Sequence, residues 1–246
     1  MRLKHLHETR LTTREEIEKL VKNLNATSID FELIINNDLT VDIEGSLAVV
    51  RLGQLKNLTK LPFQFGKCTG TFSVSKSKLV SLEGCPSFVG GNFYVGQLEI
   101  SSLVGSPKEV TGIVSISGCE SLTTLEGCPQ IVGASFRCVN TSIASLKYGP
   151  KEVGSGYEVD ENKLIDLSGA PKEINGDFTC EDNKLTTLSG GPREVGGDYW
   201  CRGNKLTSFE GVARIIGKDF HHDIGGDSSS KGYPKDIGGS DYGSNS

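Results

Sequence analysis

The feature that most constrains this chain is a repeat of about 21 residues. Proline recurs along the middle of the sequence, and a leucine precedes each of these prolines by four positions. A unit of this length buries too little apolar surface to fold alone, so copies must stack and share one core. The sequence therefore predicts a solenoid. The prolines that set the register are Pro86, Pro107, Pro129, Pro150, Pro171 and Pro192.

When the copies are aligned, two apolar positions recur as columns, and their spacing indicates a β-strand. In "FTCEDNKL", Phe178 and Cys180 stand two residues apart, which is the period of a strand that buries one face. Stacked copies then pair these strands into a parallel ladder. The largely aromatic column contains Phe93, Val114, Phe136, Tyr157, Phe178, Tyr199 and Phe220, and the smaller column contains Val95, Ile116, Cys138, Val159, Cys180 and Cys201.

The pattern apolar-x-apolar-x-x-Asn-x-Leu-x-x-Leu resembles leucine-rich repeats. Residues 178–188 and 199–209 match it, and Asn162, Asn183 and Asn204 fill its asparagine position. There the side-chain amide satisfies backbone groups of the bend after the strand. Ser77, Leu98 and Thr141 depart from the pattern in earlier copies, and Cys119 is a substitution that the family allows. The resemblance implies a mainly β, leucine-rich-repeat-like solenoid over residues 45–224.

A second resemblance is to repeat proteins encoded by large contractile-tailed bacteriophages. The phrases "LTKLPFQFGKCTGTF", "LEGCP" and "PREVGGDYWC" are similar to theirs, and the similarity spans most of the chain. It implies a phage setting, in the virion or in the host cytoplasm, and it implies no reaction.

Residues 1–44 are predicted to form an N-terminal cap. Thr13 followed by Glu16 is a capping-box pattern, and apolar residues at helical spacing come after it. We expect a helix over about residues 13–24. The stretch "DFELIINNDLTVDIEG" predicts a β hairpin over about residues 30–44.

Residues 225–246 are predicted to be a degenerate last repeat followed by a flexible tail. The 21-residue register continues into this segment, but Gly225, Asp227 and Ser230 stand where asparagine and leucines are expected. Terminal repeats often lose core residues in this way.

Composition and charge exclude several classes of function. The formal charge is −5 at neutral pH, so the 246-residue chain lacks the basic surface that phosphate-backbone binding needs. No stretch approaches the roughly 20 apolar residues that span a bilayer, and residues 1–16 lack the apolar middle region of a secretory signal. We expect no nucleic-acid partner, no membrane insertion and no secretion by a signal peptide.

The seven cysteines favour buried thiols over disulfides. Cys138, Cys180 and Cys201 share a column with Val95 and Val159, so they are interpreted as small core residues. A disulfide between Cys180 and Cys201 on neighbouring strands is the alternative. There is no CxxC pattern and no spaced Cys/His set, so we expect no metal site and no cofactor.

Other candidates for chemistry have structural interpretations. His221, His222 and Asp223 resemble a metal site or a catalytic base with its orienting carboxylate. Adjacent strand residues face opposite ways, however, so the two histidines cannot easily bind one metal ion. They are instead predicted to be solvated residues at the end of the solenoid. The two histidines of "HLH" at residues 5–7 are an equally weak candidate for a metal or catalytic site. Asp177, Asp198 and Asp219 recur in register and are predicted to line a solvated face. No catalytic residue emerges, and the chain is predicted not to be an enzyme.

The outward positions of the strands remain to carry function. These positions are free of the packing constraint of the repeat. One of them holds Trp200, the only tryptophan of the chain, and Arg202 occupies the next outward position. Tryptophan together with arginine is typical of interface hot spots. The alternative is a tryptophan that packs on its own sheet. The predicted protein-binding residues are Tyr94, Arg137, Glu158, Asp198, Trp200, Arg202 and His221.

The sequence thus predicts a non-enzymatic protein–protein interaction module that binds through a concave β face. A virion structural or decorating role is favoured, with a virion protein as partner. An intracellular effector that inhibits a host protein, and a host-surface receptor or glycan binder that uses Tyr94 and Trp200 for stacking, remain open. Oligomeric state does not follow from the sequence.

Overall fold

A computed structural model describes residues 10–26, 28, 30–51, 57–225 and 229–243 of the chain. The histidines of the "HLH" motif, Asp227 and the last three residues lie outside the described residues. The described chain is a parallel β solenoid with one α-helix at its N-terminal end, which confirms the predicted fold class.

The helix α1 spans Arg14–Asn25, and Thr13 caps it by accepting a hydrogen bond from the Glu16 backbone N–H. Ile17 and Val21 are buried on its inner side, and α1 packs against the first strand. A 3₁₀ turn spans Val49–Arg51. In chain order the strands are β1 (Phe31–Ile35), β2 (Val41–Gly45), β3 (Leu47–Ala48), β4 (Phe65–Cys68), β5 (Phe72–Ser73), β6 (Phe88–Val89), β7 (Phe93–Gly96), β8 (Glu109–Val110), β9 (Val114–Ser117), β10 (Ile131–Val132), β11 (Phe136–Val139), β12 (Glu152–Val153), β13 (Tyr157–Glu158), β14 (Glu173–Ile174), β15 (Phe178–Thr179), β16 (Glu194–Val195), β17 (Tyr199–Trp200), β18 (Ile215–Ile216), β19 (Phe220–His221), β20 (Asp236–Ile237) and β21 (Asp241–Tyr242).

The predicted ladder is a ten-stranded sheet in the order β21-β19-β17-β15-β13-β11-β9-β7-β5-β3. All its pairings are parallel and in the register of the repeat: Phe178 pairs with Tyr199, and Tyr199 pairs with Phe220. The last strand, β21, lies in the segment predicted to be a degenerate repeat and tail. The register that the sequence analysis followed into this segment is thus present in the structure as a paired strand.

A second ladder, which the sequence analysis did not predict, runs along another side of each turn. It is divided between a seven-stranded sheet (β1-β2-β4-β6-β8-β10-β12) and a four-stranded sheet (β14-β16-β18-β20). Among the described strands only the β1–β2 hairpin is antiparallel, and it closes the N-terminal end of the seven-stranded sheet. Most strands of this ladder are two residues long and bury one side chain, so they show no period of two in the sequence.

The core is one continuous stack between the ladders. Both predicted columns lie inside it, and the aromatic rings of successive turns touch: Phe136, Tyr157, Phe178, Tyr199 and Phe220 have neighbouring ring centroids 5.0–6.1 Å apart. Burial of large aromatic side chains in contact is among the strongest stabilising contributions of a core. Each turn is therefore held by its two neighbours.

The predicted asparagine ladder ties the later turns together. The Asn183 amide donates to the carbonyls of Val159 and Cys180, and its oxygen accepts from the Leu164 backbone N–H. Asn204 repeats this arrangement one turn later, with Leu185 as its donor. Each amide thus bonds to its own turn and to the preceding one.

The bend before each proline needs a left-handed backbone. Gly127 has a φ of 87°, and a Cβ at this position would lie 2.5 Å from backbone atoms of the preceding turn. Glycine is the residue that fits such a close approach with positive φ. The same reason explains the glycine that recurs in the "LEGCP" type of bend.

Candidate protein-binding face

The outward side of the ten-stranded sheet, which we call the ten-strand face, carries most of the predicted binding residues. Tyr94, Arg137, Glu158, Trp200 and His221 occupy equivalent outward positions of β7, β11, β13, β17 and β19. Arg202 lies two residues after Trp200 in the next outward column. Asp198 precedes β17 and belongs to a different column, so the structure brings six of the seven residues onto this face.

The centre of the face holds an ion pair on neighbouring strands. Arg137 Nη2 lies 3.2 Å from Glu158 Oε1, and both side chains are partly exposed. In the first turns the same outward column holds Ser73, Tyr94 and Ser115, and the Tyr94 hydroxyl accepts a hydrogen bond from Asn92 at 2.9 Å. Charge on the face is therefore confined to its later turns.

Several carboxylates lie close together on the face, in the turns that contain Glu158 and Glu181. Burial raises the pKa of Glu158, of Asp160 and of Glu181, and repulsion from neighbouring carboxylates raises each of them further. Asp160 has compensating contacts, because it accepts hydrogen bonds from the Thr179 hydroxyl at 2.9 Å and the Glu181 backbone N–H at 2.7 Å. The carboxylate of Glu181 has no hydrogen bond or ion pair among the described residues.

The last turns carry a stack of parallel rings. The centroids of Trp200 and His221 are 3.4 Å apart, and those of His221 and Tyr242 are 4.7 Å apart, with interplanar angles below 10°. Arg202 lies over the Trp200 ring and donates to the Tyr242 carbonyl at 2.9 Å. Trp200 is half-buried and packs on its own sheet, as the alternative interpretation had it.

The prediction that His221 and His222 are solvated is wrong. His221 is 8% exposed, because Trp200 and Tyr242 cover both faces of its ring, and His222 is 2% exposed inside the core. Burial, followed by the nearby Arg202 charge, lowers the pKa of His221. The two rings do point to opposite sides of the strand, as the alternation predicted.

Polar side chains close the C-terminal end of the core. In the last turns His222 stands in the small-residue column and Asp241 stands in the aromatic column. His222 Nε2 is 2.9 Å from Asp241 Oδ1, at ion-pair distance but without hydrogen-bond alignment, and the Tyr233 hydroxyl donates to Asp241 Oδ2 at 2.6 Å. These groups separate the apolar stack from solvent.

The aspartate column has a structural role and is not simply a solvated surface. Asp177 accepts a hydrogen bond from the Asp198 backbone N–H at 2.9 Å, Asp198 accepts one from Asp219 at 3.0 Å, and Asp219 accepts one from Ser240 at 2.7 Å. Each carboxylate therefore satisfies a backbone donor of the following turn. For Asp198, this bond adds a structural role to the predicted contact with a partner.

The cysteine prediction is confirmed. All seven cysteines are buried and none forms a disulfide, so the Cys180–Cys201 alternative is wrong. Burial raises the pKa of Cys138 to about 12 and that of Cys68 to about 11, and it also raises the pKa of Cys180 and Cys201. A thiol with so high a pKa is a poor nucleophile near neutral pH.

The sequence analysis missed several residues of the face as site candidates. It did not name Asp160 and Glu181, which form a carboxylate cluster with Glu158, and Asp182 and Asp223 extend that cluster. Tyr242 was assigned to the tail. Counting 21 residues on from His221 would have placed it in the same outward column.

Within the described residues, no group of three or more histidine, cysteine or acidic side chains is placed to hold a metal ion. No helix in the described part of the chain is long and apolar enough to cross a membrane. No protein-family model matches the chain, and neither a curated protein nor a solved structure matches it. The functional argument therefore rests on the geometry of the chain itself.

Proposed function

We propose that this chain is a non-enzymatic protein-binding module and that its binding surface is the ten-strand face. The observation that supports this most is the division between the two sides of the strands. Inward positions repeat one packing pattern, while outward positions change from Ser73 and Ser115 to Arg137, Glu158 and Trp200. Extended solenoid surfaces with such variable side chains are commonly used for binding.

The face is also open among the described residues. The helix α1 packs against β1 of the other ladder, and the outward side chains of the ten-stranded sheet are mostly half-buried or exposed. The second ladder has outward residues as well, including Ile131 and Ile215, which are 43% and 42% exposed. Its strands are divided between two sheets, so it provides a less continuous surface.

The setting that we propose is a phage virion, in which the chain contacts another virion protein. The support is the resemblance of its repeat phrases to those of phage repeat proteins. A host-protein inhibitor would use the same face. A glycan-stacking role for Trp200 is less favoured, because His221 covers the indole ring at 3.4 Å and a sugar would have to displace it.

Site-specific photo-crosslinking tests the binding face directly. Benzoylphenylalanine replaces Arg137 on β11, and the matched control replaces Ile131 on β10 of the same turn, which is exposed on the other ladder. In cells infected by the phage that encodes the chain, we expect a discrete crosslinked partner from position 137 and none from position 131. Equal crosslinking at both positions, or none from position 137, would contradict the proposal.

Quantitative mass spectrometry of gradient-purified particles tests the setting. A fixed ratio of this chain to the major capsid protein is expected for a virion component. Absence from particles together with abundance in the infected-cell lysate would instead favour the host-inhibitor role.

Thiol reactivity tests the non-enzymatic part of the proposal. Cys138, Cys180 and Cys201 are buried with raised pKa values, so iodoacetamide at pH 7.5 is expected to label them only after unfolding. Rapid labelling of one of them in the folded protein would indicate a reactive thiol and reopen the enzyme hypothesis.

A further inference from the structure

A cavity of about 540 Å³ lies at the N-terminal edge of the ten-stranded sheet, beside its edge strand β3. This volume is in the usual range of protein pockets that hold a ligand. We call this cavity the edge groove. Its lining includes Asp30, Phe31, Ser46, Ala48, Thr71 and Ser73.

The backbone of β3 presents two groups to the edge groove that have no partner among the described residues. On one side of β3, the Leu47 N–H donates to the Thr71 C=O at 2.8 Å, which is the pairing with β5. The backbone groups of neighbouring residues point to the other side of a strand. There the Ser46 N–H donates to the Asp30 C=O at 3.1 Å. The Ser46 C=O and the Ala48 N–H form no hydrogen bond with any described residue.

These two groups are the pair that a parallel neighbouring strand uses. Inside the sheet, the Phe178 N–H donates to the Asp198 C=O at 2.9 Å, and in a parallel pair the same residue accepts from the N–H two positions beyond that carbonyl. The Ser46 C=O and the Ala48 N–H have this spacing. An antiparallel strand would need both groups of one residue. The Ala48 C=O, however, is the first acceptor of the 3₁₀ turn at Val49–Arg51.

We propose that the edge groove receives an extended segment of a partner protein, which pairs with β3 as a parallel strand and extends the ten-stranded sheet by one strand. In this mode of recognition, main-chain hydrogen bonds to a sheet edge supply the affinity. The proposal goes beyond the proposed function, because it concerns the edge of the sheet and not the outward side chains of its middle and later turns.

The hydroxyls of the edge groove favour a ligand that is rich in carbonyl groups. Ser46 Oγ accepts from the Thr71 N–H at 2.9 Å, Thr71 Oγ1 accepts from the Asn92 N–H at 3.3 Å, and Ser73 Oγ also accepts from a backbone N–H. Each hydroxyl keeps one proton to donate, and the described residues provide no acceptor for it. Together with the Ala48 N–H, these protons give the groove an excess of donors. A peptide backbone supplies one carbonyl acceptor at every residue.

Binding of a synthetic strand to the full chain tests this proposal. The probe is a fluorescein-labelled peptide of sequence GTFSVSK, which is that of residues 70–76 around β5. In the register of the ladder, its phenylalanine lies opposite Leu47 and its N–H donates to the Ser46 C=O. The N–H of the next serine in the peptide points away from β3. Two further peptides carry an N-methyl group, one on the phenylalanine and one on that serine.

We expect methylation of the phenylalanine to weaken binding about tenfold, because it removes a paired donor, and methylation of the serine to change binding by less than about twofold. Fluorescence anisotropy measures both. Peptide addition should also slow hydrogen exchange of the Ala48 amide.

A change in the groove itself provides a second test. Ser73→Ala should weaken binding about fivefold, because it removes one donor of the groove. The matched control is Ser115→Ala, the same change two strands further along the outward column. It should leave binding unchanged. Circular dichroism verifies that both variants are folded.

Several results would overturn the proposal. These are no binding of the unmodified peptide, equal weakening by the two N-methyl groups, and binding that leaves exchange of the Ala48 amide unchanged. Binding of a chitin trisaccharide that Ser73→Ala weakens, without binding of the peptide, would assign the edge groove to saccharides.

The outcome is separable from that of the proposed function. A partner crosslinked through position 137 together with no strand binding would leave the ten-strand face in place and overturn the edge groove. Strand binding without any crosslink from position 137 would support the edge groove and count against the ten-strand face.

Discussion

The first and second halves of the solenoid share one fold but secure their bends differently. In the turns between residues 72 and 139, the position after the strand holds Ser77, Leu98 or Cys119. Leu98 and Cys119 are buried there, and Ser77 bonds to the Val74 carbonyl of its own turn. In the turns between residues 157 and 224, Asn183 and its equivalents bond across turns. The first half relies on local contacts and the second on directional bonds between turns.

The outward surfaces differ in the same sense. The first half exposes small neutral residues such as Ser73 and Ser115, while the second half carries the carboxylate cluster and the ring stack. Crowded, partly desolvated charge opposes folding. The half that carries this unfavourable surface is the half whose turns are tied by amide ladders. The unfavourable charge and the amide hydrogen bonds that offset it thus lie in the same half of the solenoid.

The largest expected difference between the halves concerns the asparagine ladder. Asn183→Ala leaves three carbonyls and the Leu164 N–H without this partner, so we expect a loss of about 3 kcal/mol in the free energy of unfolding. Ser77→Ala removes one local bond at the equivalent position and should cost less than about 1 kcal/mol. Urea unfolding followed by circular dichroism measures both. Equal losses would remove the proposed distinction between the halves.

The polar closure of the C-terminal end gives the next largest effect. Asp241→Ala removes the contact with His222 and the acceptor of the Tyr233 hydroxyl, so opening of the last turn should become easier by about 2 kcal/mol. Amide hydrogen exchange of residues 236–243 measures it. Asp236→Ala, at an exposed position of β20, is the control and should leave exchange unchanged. Faster exchange throughout the chain would mean that the closure supports the whole solenoid.

Sequence alone predicted the features that depend on side-chain type at fixed spacing. The columns of Phe178 and Cys180, the asparagine positions and the cap of α1 all follow from periodicity, and the structure confirms them. The second ladder was missed, because strands such as Glu109–Val110 bury one side chain each and leave no alternation to detect.

Features that depend on neighbouring turns were also missed. His221 is buried only because Tyr242 of the next turn stacks on it, and Asp177 bonds to a backbone group of the next turn. Neither contact is visible in the residues that flank them in sequence. Such contacts are predictable only once the register between turns has been assigned through the last repeat.

Two tyrosine hydroxyls, one in each half of the solenoid, are expected to have opposite effects on stability when they are removed. The Tyr199 hydroxyl is buried and has no hydrogen-bond partner among the described residues, whereas the Tyr94 hydroxyl accepts a bond from Asn92. Tyr199→Phe removes an unsatisfied polar group and should raise the free energy of unfolding by about 1 kcal/mol. Tyr94→Phe should lower it by up to about 1 kcal/mol. Thermal unfolding of the two variants measures the signs, and a loss of stability in Tyr199→Phe would show that its hydroxyl is bonded in solution.

The smallest effect concerns the carboxylate cluster. Because burial and then Asp160 raise the pKa of Glu181, the folded chain binds this proton more tightly than the unfolded chain does. The stabilising contribution of the protonated form is therefore complete in acid and is lost as the pH rises through the folded pKa. Glu181→Gln imitates the protonated form, so it should raise the free energy of unfolding at pH 7 by roughly a few tenths of a kcal/mol.

The pH dependence separates this cause from a general effect of net charge. Below the ordinary glutamate pKa of 4.5, both states hold the proton, and the difference between Glu181→Gln and the unmodified chain should disappear. Glu152→Gln removes the same charge at an exposed outward position of β12 and should change stability less at pH 7. Melting temperatures between pH 4 and pH 8 measure both variants. Equal stabilisation by the two at pH 7 would assign the effect to net charge and not to local repulsion between Glu181 and its neighbouring carboxylates.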